Sequence, residues 1–257
     1  MKITILGTGT FYINKERSGP SYLLEVDDKK ILIDCGPGTL MRLSEIGLEP
    51  GDLDYIFITH FHADHTADLF PLQMNLRLYQ FFGGDKKIKF PKIFGPDGIE
   101  KFTKKLSYIY ELPAFDNWSE IKYEKYKKQI ILENIIVKPF KVEHVVFGLK
   151  AKAYALRFEF NNKSIVFSGD CVKCDGLKKA TKNSNIFICD ASYSKNKPGP
   201  AHLNTTDISE VSQDSQVKKV VLSHFYPDTK NIDLVGEVKE NYNGEVIMGN
   251  DFMELEV

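Results

Sequence analysis

The chain has 257 residues, 42% hydrophobic and 27% charged, which are ordinary globular proportions and long enough to bury a core without staples. Its net charge of −1 excludes a global electrostatic pull toward nucleic acid or anionic membrane, so a polyanion would have to be held by a local site. Four cysteines (Cys35, Cys171, Cys174 and Cys189), a start that runs straight into the strand-like MKITIL, and no apolar run of roughly 18–20 residues argue against a disulfide framework, a leader or a membrane span, and the expectation is a cytoplasmic, thiol-reduced protein.

KITILG, SYLLEVDD and KKILIDCGPG are short apolar runs, and Asp27-Asp28 between the last two predicts a hairpin. Gly7-Thr8-Gly9-Thr10 has neither the G-x-G-x-x-G spacing nor a Walker lysine, so it reads as a tight turn and no nucleotide cofactor is assigned. LMRLSEIG has helical spacing with Gly47 as its stop, and DYIFITH is a strand-length apolar run of the kind covered on both faces. LFPLQMNLRLYQFF, residues 69–82, is apolar beyond one helical stripe, which suits core burial or a face on which two copies pair as a homodimer.

Residues 83–130 carry eleven lysines against seven acidic residues, together with Phe102, Tyr108, Tyr110, Phe115, Trp118, Tyr123 and Tyr126. Basic aromatic stretches can hold single-stranded nucleic acid, but the interspersed acids favour aromatics that pack a peripheral helix. The later strands NIIVKPFKVEH, AYALRFEF, SIVFSGD, NIFICDA and KVVLSHF, with helices in TTDISEVSQDS and IDLVGEVKENY, predict one layered α/β domain over residues 1–257.

The chemistry concentrates in FITHFHADHT, residues 57–66, which holds three of the six histidines. His60, His144, Asp170 and His224 each end an apolar run, and carboxyl ends of strands converge on one rim where ligands bind. In extended chain His60 and His62 share a face, and a turn into a helix swings Asp64 and His65 to an adjacent side, so one short segment presents two pairs of ligands. Imidazole with carboxylate suits Zn²⁺, or Mn²⁺ and Fe²⁺ where oxygen ligands are more numerous, and Asp170 can bridge two ions about 3.5–4 Å apart. Cys171 and Cys174 form a single C-x-x-C, which is weak evidence for a ligand pair, and they are read as packing beside the site.

THFHADH resembles the H-x-H-x-D-H signature of the metallo-β-lactamase superfamily, and His144, Gly169-Asp170, His224 and the ILGTGT and IDCGPGT turns resemble its other motifs in order. The resemblance implies a four-layer αββα sandwich with two divalent ions: His60, His62 and His144 on one, Asp64, His65 and His224 on the other, Asp170 bridging, and Asp34 in support from behind. AHLNTTDISE resembles the histidine loop of the phosphodiesterase branch that includes ribonuclease Z. There His202 would serve the leaving oxygen and Asp64 would orient the attacking water, while the blander reading has His202 merely preceding a helix capped by Thr205 or Thr206.

Only 25 residues separate His144 from Asp170, too few for the arm with which ribonuclease Z clasps tRNA. The resemblance therefore implies a phosphodiesterase for small phosphodiesters, nucleotides or short RNA, with tRNA disfavoured. The alternatives are a tRNA 3′-processing endoribonuclease, a thioesterase or lactamase, and a noncatalytic metal-binding module.

Overall fold

Alternation of side chains along each strand produces two sheets that are apolar on both faces. The computed structural model describes residues 1–12, 15–83, 88–112, 120–197 and 199–257; Phe115 and Trp118, part of the basic aromatic stretch, lie outside them. The first sheet contains β1 (Lys2–Gly7), β2 (Ser21–Val26), β3 (Lys29–Ile33), β4 (Tyr55–Phe57), β5 (Lys92–Gly95) and β6 (Tyr123–Lys125) side by side, and the last strand, β16 (Glu254–Glu256), returns to pair with β1. The second runs in the order β15 (Glu245–Met248), β14 (Lys219–Ser223), β13 (Ile186–Asp190), β12 (Lys163–Phe167), β11 (Ala153–Phe160), β8 (Ile135–Val142) and β7 (Ile130–Leu132). Strands β3 to β6 are parallel, as are β12 to β15, so each sheet lines up several carboxyl ends on one edge.

Period-two patterning sorts the apolar residues into three layers. Ile3, Ile5, Tyr22, Leu24, Ile31, Ile33 and Phe57 face Ile165, Phe167, Ile186, Ile188 and Val221 across the gap between the sheets. Their neighbours Leu6, Leu23, Leu32, Ile56 and Ile93 turn outward onto Leu43 of α1 (Thr39–Glu45), Leu69, Leu72 and Leu76 of α3 (Leu69–Phe82) and Ile99 of α4 (Ile99–Ile109). On the far side Val166, Phe187, Cys189, Val220 and Leu222 meet Leu177 of α5 (Asp175–Thr181), Ile208 and Val211 of α6 (Thr205–Asp214) and Leu234 and Val238 of α7 (Leu234–Lys239). Helix, sheet, sheet and helix are the four layers of an αββα sandwich.

The hairpin after Asp27 forms between β2 and β3, with Asp27 itself at a left-handed φ of 52°. Gly47, at φ 75°, ends the α1 segment as its conformational freedom allows. The helix that follows the histidines comes in two pieces, α2 (Ala63–Thr66) and α3. The helix at 205 is capped by Asn204, whose side chain accepts from the Asp207 N–H, and not by Thr205 or Thr206. Residues 88–112 and 120–129 contain two strands, β5 and β6, besides the peripheral helix α4. Their aromatics pack: Phe102 stacks on Phe61 at 4.8 Å, Tyr110 on Phe70 at 4.9 Å, and Tyr126 donates to the Ile58 carbonyl at 2.7 Å. The four cysteines are free, and no helix among the described residues is long and apolar enough to cross a membrane.

The turn at Gly7–Thr10 anchors the end of the chain. Asp251, its side chain 5% exposed, accepts from the Thr8 N–H (3.0 Å), the Thr8 hydroxyl (2.8 Å), the Ser18 N–H (2.7 Å) and the Arg42 guanidinium (3.2 Å). The Thr8 carbonyl in turn accepts from the Phe225 N–H at 3.0 Å, and Arg17 lies 4.4 Å over the Phe225 ring. Without Asp251, Arg42 keeps Glu45 (3.0 Å) and the Ser18 hydroxyl (2.8 Å), so the loss falls on the Thr8 and Ser18 N–H donors, at about 1–3 kcal/mol for each unsatisfied group. Asp251→Ala is expected to lower stability by that order, read as a fall in the urea unfolding midpoint with an unchanged m-value.

Candidate metal centre

The segment from Ile58 to His62 leaves β4 along the carboxyl-end rim. Ile58 N–H still donates to Phe94 of β5 (2.9 Å) and the Thr59 carbonyl accepts from Tyr154 of β11 (3.1 Å), so the backbone is held by both sheets just before His60. His144 lies two residues beyond β8, Asp170 three beyond β12 and His224 one beyond β14. Gly169, at φ 57°, has no room for a Cβ, which would come within 2.9 Å of Thr59 Cβ and 3.0 Å of the Tyr154 carbonyl; this close passage turns Asp170 inward. Asp34 and His224 also hold left-handed backbones, φ 57° and 60°, without being glycine, a strain that persists only where the surroundings demand it.

These folds bring all seven sequence-predicted ligands together. The potential ligand atoms of His60, His62, His144 and Asp170 lie within 4.8 Å of one another, and so do those of Asp64, His65, Asp170 and His224. Asp170 belongs to both groups. Its Oδ2 is 3.7 Å from His60 Nε2 and 4.0 Å from His144 Nε2, while its Oδ1 is 3.0 Å from His65 Nε2 and 3.3 Å from His224 Nε2.

The partners of the opposite ring nitrogens fix the tautomers. His65 Nδ1–H donates to Asp34 Oδ2 at 2.7 Å and His144 Nδ1–H to the Ala201 carbonyl at 2.8 Å. Thr59 spends its hydroxyl proton on Asp34 (2.8 Å), so its oxygen accepts from His60 Nδ1–H at 3.1 Å. Ser192 donates to Asp190 Oδ1 at 2.5 Å, so its oxygen accepts from His224 Nδ1–H at 2.9 Å. Four imidazoles thus turn Nε2 toward one carboxylate, and His62 Nδ1 faces His144 Nε2 at 3.2 Å.

Electron-rich atoms at these distances repel unless a cation or a proton lies between them. His60 Nε2, Asp64 Oδ1 and His65 Nε2 are buried without a hydrogen-bond partner. The donor set of imidazole nitrogens and carboxylate oxygens, with no thiolate, fits two divalent cations of the Zn²⁺, Mn²⁺ or Fe²⁺ kind. Burial pushes the Asp170 carboxyl up, but His224 and His65, whose own pKa values Asp170 raises, outweigh it as imidazolium groups and hold it well below the usual carboxylate range.

His202 sits beside these groups, 6% exposed, with its ring stacked 5.3 Å from His224. Its Nδ1–H donates to Asp190 Oδ2 at 2.7 Å, which leaves Nε2 on the side of the Tyr226 hydroxyl, 3.4 Å away. Burial favours the neutral imidazole, yet the charge and hydrogen bond of Asp190 outweigh burial and raise the His202 pKa above its ordinary 6.5. Asp190 was not among the sequence-derived candidates. It ends β13 as the predicted ligands follow their own strands, so the same rim rule applied to IFICD points to it. Ser192 and Tyr226 carry no comparable signal, because a serine and a tyrosine in a loop are common without any role.

Asp34 takes the His65 proton and two donors from Thr59, so it orients two imidazoles at once. Loss of such an orienting partner typically weakens metal affinity 10–100-fold. Asp34→Asn is expected to fall in that range in a chelator-competition titration with Zn²⁺.

Comparison with known proteins bears on this geometry. The crystal structure of the metallo-beta-lactamase fold protein YhfI from Bacillus subtilis superposes with a TM-score of 0.82 at 20% identity, covering 99% of both chains. That of the human short-form tRNase Z, ELAC1, has a TM-score of 0.76 at 22% identity and covers 100% of this chain and 99% of its own. A ribonuclease Z of Methanosarcina mazei is 24% identical over 314 residues, spanning 100% of this chain and 98% of that protein. The fold is therefore that of the metallo-β-lactamases, as the histidine signature implied. The family described as anti-Pycsar protein Apyc1 matches residues 1–242, a span that takes in every ligand-type residue of the centre, and the chain belongs to that family.

Proposed function

We propose that this metal-dependent hydrolase is a phosphodiesterase for small phosphodiesters, including nucleotides and short RNA, and that it shares in this way the anti-Pycsar role of its family. The observation that carries the reading is the Asp190–His202 pair set against the double ligand cluster. Cleaving a phosphodiester expels an alkoxide-like oxygen that gains from a proton donor, whereas a thioester expels a thiolate that leaves without one. The relatives named ribonuclease Z and tRNase Z lend support, since both names denote cleavage of RNA.

Two divalent cations held by His60, His62 and His144 and by Asp64, His65 and His224, with Asp170 shared, would supply Lewis acidity that lowers the pKa of a water and neutralises phosphate charge. Asp64 Oδ1, buried and without a partner, is available to accept a hydrogen bond from the attacking water. Asp190 holds the His202 ring by Nδ1 and favours the imidazolium, so Nε2 carries the proton toward the leaving oxygen. Of these residues all but His62 are buried, which keeps bulk water from most of the charges and strengthens their interactions.

Support for a small substrate comes from the segment between His144 and Asp170. It contains a two-residue-per-strand hairpin, β9 (Val145–Val146) with β10 (Leu149–Lys150), and then β11 and β12, with no arm. The Methanosarcina alignment is longer than this chain, as expected if that ribonuclease Z carries segments this chain lacks.

Bis(p-nitrophenyl) phosphate is expected to be hydrolysed after Mn²⁺ or Zn²⁺ supplementation and to resist after chelation, while nitrocefin and thioester substrates stay intact; turnover of either in preference to the diester would overturn the reading. Asp170→Ala is expected to lose bound metal by elemental analysis. His202→Ala should keep its metal and lose about 10²–10⁴ in kcat on diesters with alcohol leaving groups. Leu78, Phe81 and Phe82 at the end of α3 and Tyr108 and Ile109 at the end of α4 are exposed on neighbouring helices. We propose that this face pairs two copies, so sedimentation equilibrium is expected to give a dimer that Phe81→Glu converts to monomer.

A further inference from the structure

We propose that Tyr226 is a further residue of the leaving-group machinery: its hydroxyl holds His202 Nε2 in line and then shares the leaving oxygen with it by a hydrogen bond. The inference rests on the phosphodiesterase reading above for its substrate and on geometry for its contact.

The backbone at His224 sends alternate side chains into the site. The left-handed φ of 60° at His224 turns the chain just past β14, and the Phe225 N–H is tied to the Thr8 carbonyl while the Phe225 ring lies under Arg17. With Phe225 anchored away from the cluster, residues 224 and 226 share the opposite side. The Tyr226 ring meets His224 edge-on at 6.0 Å and His202 edge-on at 5.5 Å. Two more tyrosines fix its plane: Tyr193 stacks on it at 5.9 Å and 15°, and Tyr12 closes its edge at 5.5 Å.

Tyr193 also ties this wall to the His202 loop. Its N–H donates to the Leu203 carbonyl, its carbonyl accepts from Thr205 N–H, and its ring meets His202 at 5.8 Å. His202 has therefore only one ring atom left to assign. Nδ1–H is committed to Asp190, and Tyr226 Oη, at 3.4 Å, is the hydrogen-bonding partner of Nε2. A separation of 3.4 Å is long for a finished hydrogen bond and leaves room for an oxygen to contact both groups, as sites tighten only around substrate. A phenol is suited to this place because it can accept from an imidazolium Nε2–H and, by turning its proton, donate to an oxygen as negative charge builds there.

In the reaction a water oxygen forms a bond to phosphorus as the bond from phosphorus to the leaving oxygen breaks. The departing electron pair stays on that oxygen, which takes the proton from His202 Nε2. The Tyr226 proton remains on the phenol throughout and is only shared. His202 regains its proton from solvent, to which the attacking water releases its own.

The test compares Tyr226→Phe, His202→Ala and the double variant with the unaltered metal-loaded protein on two diesters of one nucleoside. One is thymidine 5′-p-nitrophenyl phosphate, whose leaving group needs little help, and the other is thymidylyl-thymidine, whose leaving group is an alcohol. Tyr226→Phe is expected to lose at least about tenfold more kcat on the dinucleotide than on the nitrophenyl ester, with KM moving far less, the size of a lost donor at a developing oxyanion. In the His202→Ala background the same change is expected to cost much less than it does alone, because the two groups act on one oxygen. Equal losses on both substrates, or full additivity of the two changes, would overturn the proposal.

A second readout does not depend on turnover. In ¹⁵N-histidine spectra Tyr226→Phe is expected to shift His202 Nε2 and to leave Nδ1, on Asp190, in place; an unmoved Nε2 resonance also overturns the proposal. If the unaltered protein hydrolysed neither diester, the phosphodiesterase reading would fall, and the Nε2 shift would still decide the contact.

Discussion

Four imidazole nitrogens aimed at a single buried carboxylate, Asp170, are the arrangement on which the rest of the molecule depends. Left to themselves such atoms would rotate apart or take up protons. They are held because each opposite nitrogen is committed elsewhere: to Asp34, to the Thr59 hydroxyl, to the Ala201 carbonyl and to Ser192. These partners come from both sheets and from the loops that join them, so only the assembled sandwich can create the centre. Cations bound there would replace the protons that otherwise hold these groups together, in a geometry that folding has already set in place, which is preorganisation in its electrostatic form.

The sandwich serves this end in two ways. Its parallel strands bring carboxyl termini to one edge in each sheet, and packing the sheets face to face through Phe57, Phe158, Phe167 and Ile188 sets the two edges opposite each other. The outer helices cover the remaining apolar faces and leave the rim open. Asp251, Arg17 and Arg42 then fasten the returning C-terminal strand and the Phe225 backbone to the first turn of the chain. The position of His224 and Tyr226 is in this sense decided by residues more than two hundred places apart in the chain.

Much of this could be read in advance. Three histidines and an aspartate in six residues, with His144, Asp170 and His224 each just beyond an apolar run, pointed to one rim, and all seven ligand-type residues meet there. The strand pattern was legible because both faces of each strand are buried, which leaves long apolar runs. Asp190 stood within reach of the same rim rule, but what it and Tyr226 pair with is defined by spatial closeness alone. Asp190 reaches His202 across twelve residues and Tyr226 across twenty-four, and no periodicity encodes such pairs. The helix cap passed from threonine to Asn204 because the Tyr193–Asn204 bridge fixes where the extended chain ends. Strands β5 and β6 were hidden in the lysine-rich stretch, where three- and four-residue elements are too short to show alternation.

The bond from His144 to the Ala201 carbonyl has a consequence of its own. The neighbouring peptide unit carries His202, so on the proposed reading a ligand of the first ion and the group that serves the leaving oxygen would be tethered through one residue of backbone. Free energy with which cation uptake steadied His144 would then be felt at His202, and by reciprocity a molecule that pressed His202 into its working pose would tighten the grip on the ion. Loading of the centre and readiness to release product alcohol would rise and fall together, and the protein would be least able to finish a turnover when cations are scarce.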